Sequence, residues 1–407
     1  MTEHLDTLSV DTDPVEIGFD RDRLGRIDDL LQHYVDAGSL PGWSVLVSRR
    51  GRVAHVSHGG LRDVEAGTPV EADTIFRIYS MTKPVTSVAA MMLYEQGALE
   101  LTDPISKWLP EFADMRVWAG GSDLKPMTVP ALEPIRVWHL LTHTSGLTYG
   151  FHRAHPVDAL YRAAGYEWSA PAAVDLAGAC EAFASMPLLF QPGSEWNYSV
   201  STDVLGRLVE VVSGQSLDAF FAERIFTPLQ MVDTSFGGSD PSRTAALYTP
   251  GLNRNDALGD SVLKPTWLSG GGGLTSTLAD YHRFTQMLRG RGELDGVRLL
   301  GDRTVPYMAT NHLPGGADLV AFGRPLFAET PFDGVGFGLG FSVTLDAAAT
   351  HTLSSPGEFA WGGAASTAFW VDPVEDITAV FMTQLLPSST YPLRSQLRQL
   401  VYSALVG

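Results

Sequence analysis

A single cysteine, Cys180, stands in a chain of 407 residues, so no internal disulfide can form. It lies in Asp175-Leu-Ala-Gly-Ala-Cys-Glu-Ala-Phe-Ala, a helix-interior pattern in which it reads as a small buried hydrophobe. Lysine is nearly as scarce: of 28 basic residues only Lys83, Lys107, Lys125 and Lys264 are lysines. The 46 acidic residues outnumber the bases to give a net charge of -18, which repels phosphate backbones and anionic headgroups from most of the surface. Neither nucleic acid nor membrane is an expected partner. No apolar run approaches the roughly 18 residues of a membrane span. The start, Met1-Thr-Glu-His-Leu-Asp6, lacks the basic and apolar stretches of a secretory leader, so a soluble cytoplasmic protein is expected. The G-x-S-x-G elbow, G-x-x-x-x-G-K-[ST] and H-E-x-x-H are all missing, which removes three enzyme classes. His139 and His143, and His152 and His155, have helical spacing but no carboxylate at ligand spacing, so neither metal nor cofactor is expected.

What is present is an ordinary globular composition: 44% hydrophobic and 18% charged residues exclude a disordered, collagenous or coiled-coil chain. Asp20 can cap a helix reaching about Ala37, with Leu24, Ile27, Leu30, Leu31 and Tyr34 on one face and Gly38 ending it. Residues 43–48 and 53–58 are β-type runs joined through Gly51, a hairpin signal. The far end mirrors this, with β-rich runs at 366–371 and 377–383 and a helical pattern at 395–405. Between them lie helical patterns at 85–95, 200–213 and 217–225, separated by Gly/Pro-rich loops. The simplest assembly is an α/β (α+β) fold, an antiparallel sheet flanked by helices plus an all-α lobe. Residues 1–75 and 290–407 would form the sheet lobe and 76–289 the mainly helical one, with the active site in the cleft between. The stretches 114–134 and 149–169 read as loops, long enough to tailor such a cleft.

One pattern carries chemistry. S-x-x-K sets a serine hydroxyl and a lysine amine on one face of a helical turn, where the amine can take the hydroxyl proton. Three of the four lysines satisfy it: Ser80-Met-Thr-Lys83, Ser122-Asp-Leu-Lys125 and Ser261-Val-Leu-Lys264, each followed by proline. The second and third sit in loop-like sequence and open no helix. Ser80 follows the apolar Ile75-Phe-Arg-Ile-Tyr79 and precedes a long helical pattern, where the helix dipole favours an oxyanion nearby. A plain N-cap is the competing reading of the tetrapeptide alone.

With these residues in place, the chain resembles the serine β-lactamase and penicillin-binding-protein-like superfamily, in the class C-like branch that includes family VIII carboxylesterases. The resemblance spans most of the chain. Thr74-Ile-Phe-Arg-Ile-Tyr-Ser-Met-Thr-Lys83 looks like the nucleophile segment, and Gln191-Pro-Gly-Ser-Glu-Trp-Asn-Tyr-Ser-Val200 like the tyrosine segment. Leu140-Leu-Thr-His-Thr-Ser-Gly-Leu147 and Gly271-Gly-Gly-Leu-Thr-Ser-Thr-Leu-Ala-Asp280 look like structural stretches. Four segments in matching order are far more specific than any one of them. The resemblance implies a β-lactamase-like fold with Ser80 as nucleophile, Lys83 beside it and Tyr198 as the third catalytic residue.

Two departures bear on the substrate. The family's Y-x-N reads Tyr198-Ser199-Val200, so the amide that contacts a β-lactam side chain is replaced by valine. The K-T-G element is absent, and Trp361-Gly362-Gly363-Ala364 stands in its place, similar to the W-G-G form of family VIII esterases. An indole where a carboxylate-binding cation would stand favours a small, neutral, short-chain ester. Backbone N–H groups of Ser80 and Ala364 would hold the oxyanion, with Gly362 and Gly363 permitting close approach. Tyr149, Phe151 and His152 follow the His143 segment and are expected to line the acyl pocket. The expected function is a serine carboxylesterase; an acyltransferase using the same acyl-enzyme, a weak β-lactamase or D-amino-acid peptidase, and a non-catalytic binding relative are the alternatives.

Overall fold

The computed structural model of the protein describes residues 8–168, 170–171, 173–263, 265, 267–324 and 332–406. Helix α1 (Arg21–Asp36) begins at Asp20, whose carboxylate accepts the Arg23 N–H at 2.9 Å, and buries Leu24, Ile27 and Leu31. The chain then folds into a hairpin of β1 (Gly42–Arg49) and β2 (Arg52–Asp63). Its two turn residues, Arg50 and Gly51, have φ of 55° and 76°, the pair of left-handed conformations that a tight hairpin requires.

These strands enter an eight-stranded sheet with β3 (Thr68–Pro69), β4 (Val335–Phe337), β5 (Ser342–Thr344), β6 (Phe359–Gly362), β7 (Ala368–Asp372) and β8 (Ile377–Thr383). The order is β4-β5-β6-β7-β8-β1-β2-β3, with antiparallel pairing between neighbours. β1 and β8, buried along their whole lengths, join the two ends of the chain at the centre of the sheet, with Trp43 opposite Thr383 and Arg49 opposite Ile377.

Four further helices matter here: α2 (Thr82–Glu95), α3 (Ser201–Ser213), α4 (Leu278–Arg289) and α5 (Leu393–Ser403). One face of the sheet is covered by α1 and α5, where Leu24, Ile27 and Leu31 meet Val45, Phe381, Leu397 and Val401. Helix α4 lies on the other face. Its Gln286 amide donates to Ser48 Oγ at 2.9 Å and Thr378 Oγ1 at 2.8 Å, so the polar atoms buried under it are satisfied. Helix α4 thus packs on the sheet, although the expected division assigns residues up to 289 to the helical lobe.

Helices α2 and α3 form the centre of the intervening segment, and the glycine run 270–273 passes between them. A side chain at Gly270 would lie 2.7 Å from the Thr202 carbonyl of α3 and 3.2 Å from Thr86 Cγ2 of α2, so only glycine fits the crossing. Cys180 is fully buried in the helix Leu176–Ala184.

Some elements differ from the sequence expectation. Within 114–134 stands an exposed hairpin, Arg116–Ser122 with Lys125–Pro130, and Ser122 sits at its tip, its hydroxyl accepting the Lys125 N–H at 3.3 Å. Within 149–169 lies the helix Pro156–Ala163, started by proline and by the His155 ring accepting the Val157 N–H. The segment holding Ser261 is a helix, Asp256–Leu263, in which Ala257, Leu258 and Leu263 are the strong helix formers. Lys264 falls outside the described residues. Among the described residues no helix is long and apolar enough to cross a membrane.

Candidate active site

Ser80 is presented by a strained junction. The short strand Phe76–Arg77 pairs with Leu274–Ser276, and the Ile78 N–H donates to the Leu274 carbonyl at 3.1 Å. Tyr79 then adopts φ of 42°, uncommon for a bulky residue, and turns the chain into the 3-10 turn Tyr79–Met81 that leads directly into α2. Ser80 is therefore held at the head of a helix whose first twelve residues are buried.

One turn later Lys83 points back at it. Its ammonium donates to Ser80 Oγ at 3.2 Å, to the Tyr149 hydroxyl at 3.0 Å and to the Gly271 carbonyl at 2.7 Å. It also lies 4.5 Å from the centre of the Tyr198 ring. Tyr198 stands on the loop before α3, and its hydroxyl accepts the indole N–H of Trp361 at 3.4 Å. The 140–147 segment holds that loop: the Asn197 N–H donates to the His143 carbonyl at 2.9 Å, Ser145 and Ser201 hydroxyls bond at 2.7 Å, and the His143 ring packs 4.9 Å from Tyr198. Complete burial pushes His143 well below the usual histidine range, so it is a neutral buttress.

These groups open onto a cavity of about 520 Å³, lined also by Phe151, His152, Val200 and 361–364. Tyr149 stacks on Phe151 (4.6 Å, 21°) and Phe151 on the half-exposed Trp168 (4.6 Å, 13°), so a ladder of rings runs from Lys83 to solvent. His152 bonds the Tyr198 carbonyl at 2.6 Å through Nε2 and so props the tyrosine loop as well as lining the cavity. The four histidines of the spaced pairs are engaged in caps and props: His139 accepts the Arg136 N–H and His155 that of Val157. On the sheet side, a side chain at Gly363 would overlap Thr367 Oγ1 and the Ile78 carbonyl, so the 361–364 stretch meets the nucleophile segment only with glycine at 363.

The β-lactamase family model matches residues 27–403. The chain belongs to the β-lactamase family. It is 38% identical to Protein Rv1367c of Mycobacterium tuberculosis over 88% of this chain and 89% of that one. It is 30% identical to Esterase EstB of Burkholderia gladioli over 96% of this chain and 98% of that one. The solved structure of EstCE1, described as a hydrolase with promiscuous acyltransferase activity, superposes with a TM-score of 0.80 at 28% identity, covering 94% of this chain and 99% of that one. The fold is β-lactamase-like, an antiparallel sheet with helices, and the chain is a serine hydrolase of this superfamily.

One buried acid beside this cluster escaped the sequence reading. Asp203, in the first turn of α3, is fully buried; it accepts from the Ser269 hydroxyl at 2.6 Å and the Gly271 N–H at 3.0 Å. Burial raises its carboxyl above the usual range, and the Lys83 ammonium pulls it back. A side chain at Gly271 would sit 2.6 Å from Asp203 Oδ2 and 3.0 Å from the Tyr149 hydroxyl, which places all three groups around Lys83. In sequence Asp203 looks like any acid in a helix's first turn; its total burial is the distinguishing feature. Tyr149 likewise does more than line a pocket. Burial, Asp203 and Tyr198 all push its phenol well above the usual range, so it is a neutral hydrogen-bond partner of Lys83.

Proposed function

We propose that the protein is a serine carboxylesterase for small, neutral esters, working through an acyl-enzyme on Ser80. The reading rests on the 3.2 Å contact of Lys83 with Ser80 in a cavity whose sheet wall carries Trp361 and whose opposite wall carries Val200. In the reactive form the Lys83–Tyr198 pair is short of one proton: Ser80 Oγ attacks the ester carbonyl while its proton passes to that pair, the C–O bond to the alcohol breaks, and the alcohol leaves with that proton. The same groups then take a proton from water, which attacks the acyl-enzyme; the bond from Ser80 Oγ to the acyl carbon breaks, the acid is released and the proton returns to Ser80. The developing oxyanion is held by the N–H groups of Ser80 and Ala364. Tyr198 carries the mobile proton in this reading, while the Tyr149 hydroxyl is occupied by the Lys83 N–H. At position 361 the cavity offers an indole rather than a cation, which disfavours carboxylated lactams.

Water can be replaced by an alcohol in the second step, and the acyltransferase activity named for EstCE1 makes this the second reading. The test is steady-state turnover of p-nitrophenyl acetate, butyrate and octanoate beside nitrocefin, for wild type and Ser80→Ala, with and without added ethanol. Ester turnover lost in Ser80→Ala, with little nitrocefin cleavage, is expected; dominant nitrocefin cleavage would overturn it. Ethyl ester formed at the expense of free acid would assign the transferase reading.

A further inference from the structure

We propose that Arg394, on α5 and outside the catalytic cluster, is a positioning residue that orients and polarises the oxyanion-binding peptide. This rests on the reading of Ala364 N–H as an oxyanion donor. Arg394 donates through one guanidinium nitrogen to the Gly363 carbonyl at 2.8 Å and to the Thr367 carbonyl at 3.1 Å. The Gly363 carbonyl and the Ala364 N–H belong to a single peptide group. That peptide is trans, so its C=O and N–H point in opposite directions. With the carbonyl drawn to Arg394, the N–H is turned the other way; Ala364 and Ser80 both line the cavity, as does the arginine itself.

The surroundings leave this peptide little freedom. The Gly363 N–H donates to Thr367 O at 2.9 Å, the Ser366 N–H donates to Gly363 O at 3.1 Å, and Ser366 takes φ of 71° to close the turn. Any side chain at Gly362 would overlap the guanidinium of Arg394, so glycine there serves the arginine as much as the substrate. A cation bonded to the carbonyl withdraws electron density through the amide resonance, leaving the N–H a stronger donor than an ordinary amide.

The experiment compares p-nitrophenyl esters with the matching thionoesters, whose developing sulfur anion accepts N–H hydrogen bonds poorly. Wild type, Arg394→Met, Arg394→Gln and Arg394→Lys are assayed for kcat and KM, with thermal midpoints as the folding control. Arg394→Met is expected to lower oxoester kcat about tenfold at nearly constant KM, with less than about a twofold change on the thionoester. Arg394→Lys, which keeps the charge, is expected to recover part of the loss. Equal losses on both substrates, or none on the oxoester, would overturn the proposal. Should Arg394→Met fail to fold, Arg394→Gln, neutral but able to bond one carbonyl, reads the same ratio. Failure of the underlying site is separable: wild type would then not discriminate oxoester from thionoester.

Discussion

The ammonium of Lys83 donates to the hydroxyl of Tyr149 at 3.0 Å, across 66 residues of sequence. Tyr198 lies against the same ammonium through its ring face, and its hydroxyl accepts the Trp361 indole N–H. Two phenols thus share one lysine in different ways: the first anchors the amine, and the second leaves its oxygen toward the substrate side.

Substituting each phenol separates the roles. Tyr198→Phe is expected to lower kcat about 10²- to 10⁴-fold, the worth of a general acid–base group. Tyr149→Phe removes one of three Lys83 partners and should cost only about tenfold. Pre-steady-state release of p-nitrophenol measures both, and the reverse ranking would make Tyr149 the proton carrier.

Replacing Asp203 by alanine leaves the Ser269 hydroxyl and the Gly271 N–H without their acceptor and removes the negative charge that faces Lys83. A loss of about 3 kcal/mol in unfolding free energy is expected, together with severe loss of turnover. Asp203→Asn keeps one oxygen acceptor and should recover most of the stability with little of the activity. Chemical denaturation run beside the ester assay checks both.

At Gly363 a methyl group would overlap Thr367 Oγ1 and the Ile78 carbonyl. Gly363→Ala is therefore expected to separate the 361–364 stretch from Ser80 and reduce kcat by about 10²-fold, at a stability cost of about 1–3 kcal/mol. Near-normal turnover would show that the sheet edge can shift without harming the site.

Asp280 offers a pH test away from the chemistry. Burial pushes its carboxyl up to about 6, against hydrogen bonds from Thr234 and the Asp233 N–H, both at 2.8 Å. A carboxyl raised by folding favours the native state when protonated. Its contribution is therefore complete below the unfolded value of about 4 and is lost as pH rises toward 6. The stability difference between Asp280→Asn and wild type should change across that window by at most about 1.4 kcal/mol per pH unit and be flat above it. Urea midpoints at pH 4, 5, 6 and 7 measure it.

Much of this arrangement is legible from local signals. Asp20 and Gly51 mark a cap and a turn through side-chain and backbone rules that act within a few residues, and the helix and hairpin stand where those rules put them. Ser80 and Lys83 lie one helical turn apart, so their proximity follows once a helix starts there. The Lys83–Tyr149 contact and the burial of Asp203 depend on how α2, α3 and the glycine run cross, which no local pattern encodes. Strands β4 and β5, three residues each, are too short for an alternation to show, and their pairing comes from the sheet they extend. The helix around Ser261 was hidden by its glycine and asparagine neighbours.

The pairing of β1 with β8 has a consequence for synthesis. The Thr383 hydroxyl that donates to the Gly42 carbonyl lies 341 residues downstream. On the ribosome the first hairpin emerges with an open, apolar edge and waits for nearly the whole chain before its partner strand exists. Such long-range closure is slow and exposes the nascent edge to wrong pairing. The central strand, rather than the catalytic helix, is therefore where a chaperone would be needed, and chains stalled before residue 377 should aggregate instead of folding into inactive monomers.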